Sequence, residues 1–173
     1  MHPNLQRLEL LANALSDDPS VQAVLGLGSS GRETHRFDDH SDIDFFVIVD
    51  DIEAKQRYLN DITWLNGLGG ELAFEFVNDP NGRKALLADG LLLEYAIFTT
   101  DQIRELPLVG SRVVWARQHY THSETGHPRS AIDTVTFHTH EALTNLYVGL
   151  HREIRGERLT AMRFIQVYAV DRV

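Results

Sequence analysis

Residues 26–50 have the sequence GLGSSGRETHRFDDHSDIDFFVIVD, and the two ends of this stretch decide the fold. Its last part, Ile43–Val49, is β-branched, aromatic or apolar apart from Asp44 and follows a polar run, which predicts a strand. Because strand side chains alternate between the two faces of a sheet, Asp42 and Asp44 should point the same way. Two carboxylates at that range raise each other's pKa, and a divalent cation between them would remove the repulsion.

The beginning of the stretch supplies a second signal. Val21–Leu27 (VQAVLGL) is apolar enough for a buried strand, and it runs directly into the sequence Gly28-Ser29-Ser30-Gly31. Glycines permit a tight turn, and the N–H groups of such a turn can face an anion. The chain therefore predicts a strand, a phosphate-binding turn, a polar loop and a strand with a carboxylate pair, which together could hold a metal-bound triphosphate.

The ordered combination of Gly28-Ser29, a loop and Ser41-Asp42-Ile43-Asp44 resembles the nucleotidyltransferase superfamily that includes DNA polymerase beta. The mark of that superfamily is Gly-Ser, then a loop, then Asp-x-Asp. Within it, the chain is similar to the antibiotic nucleotidyltransferases that act on lincosamides and aminoglycosides. Three segments carry this likeness: SDIDFFVIVD, DGLLLEYAIF and EALTNLYVGLHREIRGERLTAMR.

The resemblance implies a reaction and a set of site residues. Asp42, Asp44 and Glu94 would be catalytic and would bind two Mg²⁺ ions, which suit a site made of oxygen ligands. A nucleoside monophosphate would pass from a nucleoside triphosphate to a hydroxyl of a small acceptor, which is an antibiotic in the enzymes it resembles. Gly28 and Ser29 would bind the β- and γ-phosphates. Whether Glu94 ligates a metal or acts as a general base stays open at this point.

Three further residues are expected to contact the nucleotide. Arg32 lies beside the glycine turn, where a guanidinium could meet a phosphate, and Ser41 belongs to the Asp-x-Asp motif. The third is Arg155, in a basic cluster near the end of the chain where Arg158 is the other candidate. The alternative for this cluster is a solvated helix face with glutamate partners, and most of the charged loop at 32–40 is likewise expected to be solvated.

Glu94 is identified from its surroundings. Its neighbours in LLLEYAIF are apolar or aromatic, and a lone carboxylate there costs several kcal/mol unless it is paired or bound to a metal. A salt bridge to an arginine, or an edge strand facing water, is the structural alternative. Glu75 is the rival third carboxylate, but it shares a face with Glu71 in an alternating segment, which is typical of a solvent-exposed side.

The remaining pattern completes an α+β fold, an α/β sandwich built on a mixed β-sheet. Helical spacing occurs at residues 4–15 and again from residue 51, where Gly67, Gly69 and Gly70 are expected to end the helix. Strands are predicted at 71–77, with Leu72, Phe74 and Phe76 on one face, and at 85–87 and 91–98 around an Asp-Gly turn.

The predicted domain organisation is a nucleotidyltransferase domain at 1–118, a linker at 119–130 and a helical segment at 131–173, which we expect to be an incomplete second domain. An apolar stripe in this segment predicts a packing surface, and we expect it to form a homodimer. The stripe consists of Leu143, Leu146, Tyr147, Leu150 and Ile154. The sequence His138-Thr139-His140-Glu141 suggests a metal site, but helix residues two apart do not face each other.

Composition limits the partners. The 173 residues include no cysteine and carry a net charge of -9. The chain shows no signal-peptide pattern and no apolar run that could cross a bilayer, so we expect a cytoplasmic protein without a membrane partner. An acidic chain repels long nucleic acids. Two alternatives stay open. The first is transfer to a protein or tRNA. The second is a non-catalytic nucleotide-binding regulatory module, but such a module has no need of the intact trio of carboxylates.

Overall fold

The fold is built on one mixed sheet of six strands. The computed structural model describes residues 1–104, 106, 108–118, 120–121 and 134–172. Strand order in the sheet is β3-β4-β5-β2-β1-β6, and only the central pair β2 and β5 is parallel. The strands are β1 Val21–Leu27, β2 Ile43–Val49, β3 Leu72–Asp79, β4 Gly82–Leu87, β5 Leu92–Thr99 and β6 Arg112–Ala116.

Helices cover both faces of this sheet, which confirms the predicted α+β sandwich. The α-helices of the described residues are α1 Pro3–Leu15, α2 Ile52–Asn60, α3 Thr100–Ile103, α4 Val135–Ile154 and α5 Arg158–Arg163. Short 3₁₀ turns lie at Gly28–Ser30, Thr34–Arg36, Thr63–Leu68 and Val170–Arg172, and a single π-helical turn spans Phe164–Tyr168.

The sheet separates two apolar cores because its central strands alternate. The larger core lies under α1 and α2 and contains the β2 residues Ile43, Phe45 and Val47. The smaller core, on the opposite face, includes Ile48 of β2 and Phe98 of β5. Asp44, near the beginning of β2, lies on the same face as the smaller core. The opposite face of β2 packs into the larger core, which holds the strand in place.

Two strands, β1 and β2, were predicted with the correct bounds, β5 was displaced by one residue, and the predicted β4 lacked its first three residues. β1 and β2 span the predicted residues. In edge strand β3 only Phe76 of the predicted apolar face is buried; Phe74 is 37% exposed, and the register shifts between Leu72 and Phe74. The strand β6 was not predicted. It is a short edge strand of five residues beside β1, and one of its residues is an arginine.

Two helical predictions need correction. The helix predicted to run from residue 51 towards Gly67 ends at Asn60, because the backbone at Asp61 is extended, and a 3₁₀ turn follows. In α4, most of the predicted apolar stripe does not pack against the described residues: Leu150 and Ile154 are 57% and 64% exposed, whereas Tyr147 donates to the Gly90 carbonyl. The helix instead buries a face of small and polar residues, which includes Glu141, Ala142, Thr144 and Gly149.

Two other expectations bear on the tail. The predicted linker at 119–130 lies outside the described residues except for residues 120 and 121. Gly156, with φ +79°, separates α4 from α5, as its break in the apolar pattern predicted. Within the described ranges, no helix is long and apolar enough to pass through a membrane.

Candidate active site

The Asp-x-Asp pair lies where β2 begins, on the sheet face opposite α1 and α2. Asp42 immediately precedes β2 and Asp44 is its second residue. Both line a cleft of about 350 Å³ beneath α4, while the intervening Ile43 and the following Phe45 are fully buried in the larger core. The alternation of the strand thus presents both carboxylates to the same cleft.

The glycine turn borders the same cleft. β1 ends at Leu27, which pairs with Asp44, and Gly28–Ser30 form a 3₁₀ turn. Gly28 has φ +50°, and a Cβ atom at this position would lie 2.7 Å from Asp44 Oδ2. Glycine is therefore needed for both its backbone conformation and its lack of a side chain. Gly28 and Ser29 line the cleft beside the carboxylate pair.

Glu94 is brought to the cleft by the parallel pairing of β2 and β5, in which it is the partner of Asp44. Its Oε1 accepts a hydrogen bond from Asn78 Nδ2 at 2.8 Å, and its Oε2 lies 3.7 Å from Lys84 Nζ. The side chain remains 46% exposed. Glu94 therefore lies on a central strand and not at an edge facing water. It has a cationic partner, as the salt-bridge alternative expected, although that partner is a lysine and not an arginine.

The rival carboxylate has a different environment. Glu75 on β3 accepts from Arg83 on β4, with 2.7 Å between Arg83 Nη1 and Glu75 Oε2. Neither side chain is among those lining the cleft. The ion pair with Arg83 therefore gives Glu75 a structural role between β3 and β4.

Lys84 joins the sheet to α4 beside Glu94. It is opposite Glu94 in the pairing of β4 with β5, and its Nζ lies 2.8 Å from Glu141 Oε1 of α4. Burial lowers the pKa of Lys84, but the charges of Glu94 and Glu141 outweigh it and raise the pKa above its ordinary value. The ammonium therefore stays protonated, and it ties the tail helix to the third carboxylate of the cleft.

The carboxylate pair is arranged to receive a cation. Burial raises the pKa of Asp44 well above its ordinary value, and the charges of Asp42 and Glu94 raise it further, against Lys84 and Arg152. From the residues that the structure describes, neither Asp42 nor Asp44 accepts a hydrogen bond, and no cationic nitrogen lies within 4 Å of either carboxylate. Bare carboxylate oxygens of this kind suit Mg²⁺.

Asp42, Asp44 and Glu94 do not converge on one metal position. In the described part of the chain, no three His, Cys, Asp or Glu side chains converge on a common metal position. Glu94 is instead held by Asn78 and Lys84. Magnesium usually takes only one or two carboxylates and completes its shell with phosphate oxygens and water. Asp42 and Asp44 fit that pattern, with Glu94 beside them.

Guanidinium groups also line the cleft, namely those of Arg36, Arg152 and Arg155. The Arg155 guanidinium is largely committed to the loop before Asp42: it donates to Asp38 Oδ2 at 2.7 Å, to Ser41 Oγ at 2.9 Å and to the Arg36 carbonyl at 3.2 Å. Ser41 is buried and does not line the cleft. Arg155 and Ser41 therefore brace the loop that delivers Asp42.

The other predicted basic contacts lie away from the cleft. Arg32 is exposed, its backbone N–H donates to the Gly110 carbonyl at 2.9 Å, and it is not among the lining residues. Arg158 is 84% exposed, and its Nε lies 3.5 Å from Glu153. His140, considered for a metal, packs its ring on Phe74 and Phe76 with centroids 5.0 and 4.7 Å away.

Sequence reasoning missed several residues that line the cleft or hold Glu94 beside it. Lys84 and Asn78 had no local signal, because their position beside Glu94 depends on how β3, β4 and β5 are registered. Arg36 is solvated as expected for its loop, with 59% of its side chain exposed and its Nη1 2.7 Å from Glu33 Oε2, but it also lines the cleft. The number of basic residues near the glycine turn was the sequence feature that could have indicated Arg36.

Comparison with known proteins gives a likeness of fold to solved structures. No protein-family model and no curated protein matches the chain. Among solved structures, an aminoglycoside 6-adenyltransferase from Bacillus subtilis superposes with a TM-score of 0.49 and 11% sequence identity. The match covers 99% of this chain and 65% of that one, so the chain spans about two thirds of that enzyme's length.

Proposed function

We propose that this protein is a metal-dependent nucleotidyltransferase that moves a nucleoside monophosphate from a nucleoside triphosphate to a hydroxyl group of a small acceptor. One observation carries the proposal. Asp42 and Asp44 face one cleft without a described hydrogen-bond donor, between a positive-φ Gly-Ser turn and Glu94. A carboxylate pair beside an anion-binding turn suits a triphosphate with its metal ions.

The reaction is a single in-line displacement. The acceptor oxygen forms a bond to the α-phosphorus, the bond from that phosphorus to the bridging oxygen breaks, and pyrophosphate leaves with the bonding electron pair. The hydroxyl proton passes to the Glu94 carboxylate, which is 46% exposed and reaches the cleft. When two Mg²⁺ ions are held by Asp42 and Asp44, they lower the pKa of the attacking hydroxyl and stabilise the charge on pyrophosphate.

The other side chains of the cleft bind and orient the substrate. Backbone N–H groups at Gly28 and Ser29 bind the β- and γ-phosphates, and the guanidinium groups of Arg36 and Arg152 add positive charge to the same cleft. Arg155 contributes through the loop that it holds in place before Asp42. In this assignment Glu94 is the general base, because Asn78 and Lys84 already orient its two oxygens.

Calorimetric titration of ATP and of GTP, with and without Mg²⁺, tests the triphosphate site. The variant is Asp42→Asn with Asp44→Asn, and the matched control is Asp17→Asn with Asp101→Asn, which removes two exposed carboxylates elsewhere. We expect Mg²⁺-dependent binding in the wild type and the control, and its loss in the cleft variant. Equal binding by all three proteins would overturn the metal assignment and with it the proposed reaction.

The acceptor class is decided by product analysis. We expect pyrophosphate release to depend on an added small alcohol, since the net charge of -9 disfavours a polyanionic acceptor. Transfer of label from ATP to a protein or to tRNA in the absence of that alcohol would replace the acceptor while keeping the chemistry. Mg²⁺-dependent nucleotide binding without any transfer would favour a regulatory module.

A homodimer is the second part of the proposal. Leu143, Leu146, Leu150 and Ile154 are spaced by three, four and four residues on α4, and each is more than a third exposed. That spacing is the one by which two helices pair along a seam, and a second copy supplies an identical apolar face. Light scattering at micromolar concentration should give twice the chain mass, and Leu150→Glu should give a monomer. A monomeric wild type would contradict this.

A further inference from the structure

The sheet places the parts of the cleft in a fixed order. Gly28 at the end of β1, Asp44 on β2, Glu94 on β5 and Lys84 on β4 follow one another across four adjacent strands. Adjacent strands are about 5 Å apart. In an in-line displacement, pyrophosphate leaves on the side of the α-phosphorus opposite the attacking hydroxyl. If the phosphates lie at the turn, the acceptor must approach from beyond Glu94.

A second hollow lies on that side of Glu94. It has a volume of about 340 Å³ and is bounded by β2, β3, β4, β5, the start of α4 and the tail at Arg172. Glu94 lines both this hollow and the cleft, so its carboxylate stands at their boundary. The volume is at the lower end of the range for small-molecule sites, which suits a molecule of one or two rings.

Aromatic rings form part of the hollow's wall. The rings of Phe46 and Phe98 meet edge to face with centroids 5.0 Å apart, and Phe137 of α4 lies among the lining residues. The Arg172 guanidinium lies over the Phe137 ring, 5.9 Å from its centroid. Such a wall favours a ligand with a flat apolar face, which gains stacking and burial there.

The carboxylates of the hollow differ in their partners. Asp79, Glu94 and Glu141 line it; Lys84 bonds Glu141 and lies near Glu94, and Arg172 adds a positive charge. The Lys55 ammonium lies 5.4 Å from the Phe98 ring centroid; burial lowers the pKa of Lys55, and the charge of Asp79 raises it in part without a direct contact. Asp79 Oδ1 accepts from the backbone and side chain of Asn81, and among the described residues no cationic nitrogen lies within 4 Å of it. A carboxylate with only neutral donors can bind an ammonium group by a charge-assisted bond.

We infer that this hollow, bounded by Phe46, Phe98, Phe137, Asp79 and Glu94, is the acceptor site, and that its ligand is a small monocationic alcohol with an apolar ring face. The ammonium group binds Asp79, the ring lies against the phenylalanines, and the hydroxyl reaches Glu94. That the ligand is the acceptor rests on the proposed nucleotidyltransferase function. That the hollow binds such a ligand does not depend on that function.

Binding of matched small probes tests the inference without nucleotide or metal. The probes are 2-amino-1-phenylethanol, its uncharged analogue 1-phenyl-1,2-ethanediol and ethanolamine, which lacks the ring, each titrated into ¹⁵N-labelled protein. We expect the aromatic amine to bind with a Kd of about 1 mM. The diol and ethanolamine should each bind at least about fivefold more weakly, because one loses the charge-assisted bond and the other the ring contact.

Two variants locate the probe. Asp79→Asn keeps an oxygen that can accept from Asn81, and it should remove the preference for the amine over the diol. Phe137→Leu should weaken both aromatic probes by a similar factor and leave ethanolamine unchanged. The ¹⁵N spectrum of each variant reports whether it folds, and if Phe137→Leu does not, Asp79→Asn decides alone.

Several outcomes would overturn the inference: no probe binding at about twenty times the expected Kd, equal binding of amine and diol, an unchanged preference in Asp79→Asn, or displacement of the amine by adenosine. Failure here is distinct from failure of the proposed function. Mg²⁺-dependent ATP binding without probe binding removes only the hollow's role. Probe binding without Mg²⁺-dependent ATP binding leaves a ligand site and removes the transferase.

Discussion

Lys84 and Glu94 are partners on β4 and β5, with 3.7 Å between Nζ and Oε2, and the same ammonium lies 2.8 Å from Glu141 Oε1 on α4. Lys84 and Glu141 are both nearly buried, at 12% and 11% side-chain exposure. One cation thus serves a carboxylate of the candidate active site and a carboxylate of the tail helix. Lys84 therefore couples the packing of α4 on the sheet to the orientation of Glu94.

Replacing this cation should reveal the coupling. Lys84→Met leaves two carboxylates facing each other without a counter-ion, and we expect it to lower the free energy of unfolding by about 3 kcal/mol, the scale of a broken buried pair. Adding Glu141→Gln should recover part of that loss, because the unpaired charge is then removed. Urea denaturation of the single and double variants measures both effects.

The control for Lys84 is an exposed ion pair. Arg104 and Asp101 are 3.2 Å apart at 73% and 86% exposure, and Arg104→Met should cost no more than about 0.5 kcal/mol. If Lys84→Met costs as little as Arg104→Met, or if Glu141→Gln makes the double variant less stable still, the coupling does not exist.

The closeness of Gly28 to Asp44 makes a second prediction. Gly28→Ala places a Cβ atom 2.7 Å from Asp44 Oδ2 and puts a side chain in a positive-φ conformation. Gly69→Ala has the same backbone cost of about 1 kcal/mol, since Gly69 has φ +66° with nothing within 4 Å of its Cβ position. We expect both variants to lose similar stability, and only Gly28→Ala to lose at least tenfold in Mg²⁺-ATP affinity. Equal affinities would place the phosphates elsewhere.

Local sequence was sufficient where an element carries its own boundary signals. β1 and β2 are apolar runs that begin or end at polar turns, and their bounds were predicted without error. The alternation of β2 also placed Asp42 and Asp44 on one face. Glu94 was predicted because an unpaired carboxylate in an apolar strand needs a partner, although that partner, Lys84, could not be identified before strand register was known.

The face of α4 that docks could not be predicted from periodicity. The pattern selects the apolar stripe that includes Leu150, yet the surface that α4 meets is the polar cleft with Lys84. The helix therefore turns polar residues such as Glu141 and Thr144 towards the sheet, and it packs Gly149 against Ile165 in the tail. Gly149 is required there, since a Cβ atom would lie 2.6 Å from an Ile165 side-chain atom. Periodicity indicates that a face is apolar, but not what it packs against.

The third prediction concerns whether Arg155 affects nucleotide binding by holding the loop before Asp42 or by contacting a phosphate directly. Its bonds to Asp38 and Ser41 hold the loop before Asp42. Arg155→Met should therefore cost about 2 kcal/mol of stability and weaken Mg²⁺-ATP binding through that loop. In an Asp38→Ala background, where the bond between Arg155 and residue 38 is already lost, the same change should weaken ATP binding less. A direct phosphate contact would instead give the same loss in both backgrounds. Arg158→Met, at an exposed site, is the control.

The last prediction concerns acid stability and lies far from the cleft. Burial alone would raise the pKa of Asp18, but hydrogen bonds from Ser20 and Tyr58 and the charge of Arg57 outweigh it and lower the pKa from 3.8 to about 2. Donor to acceptor distances are 2.7 Å from Ser20 Oγ, 2.7 Å from Arg57 Nη2 and 2.8 Å from Tyr58 Oη. These bonds join α2 to the turn before β1.

Because the folded-state pKa of Asp18 lies below the unfolded-state value, its ionisation stabilises the fold above about pH 4, and that contribution disappears as the pH falls towards 2. Asp18→Asn should lower the free energy of unfolding by about 2 kcal/mol at pH 7. The difference from wild type should shrink between pH 4 and pH 2, as measured by urea denaturation at each pH. Asp17→Asn, at the exposed neighbour, should change stability by less than about 0.5 kcal/mol at every pH. A difference between Asp18→Asn and wild type that stayed constant down to pH 2 would mean that packing of the turn, and not the charge of Asp18, provides the stability.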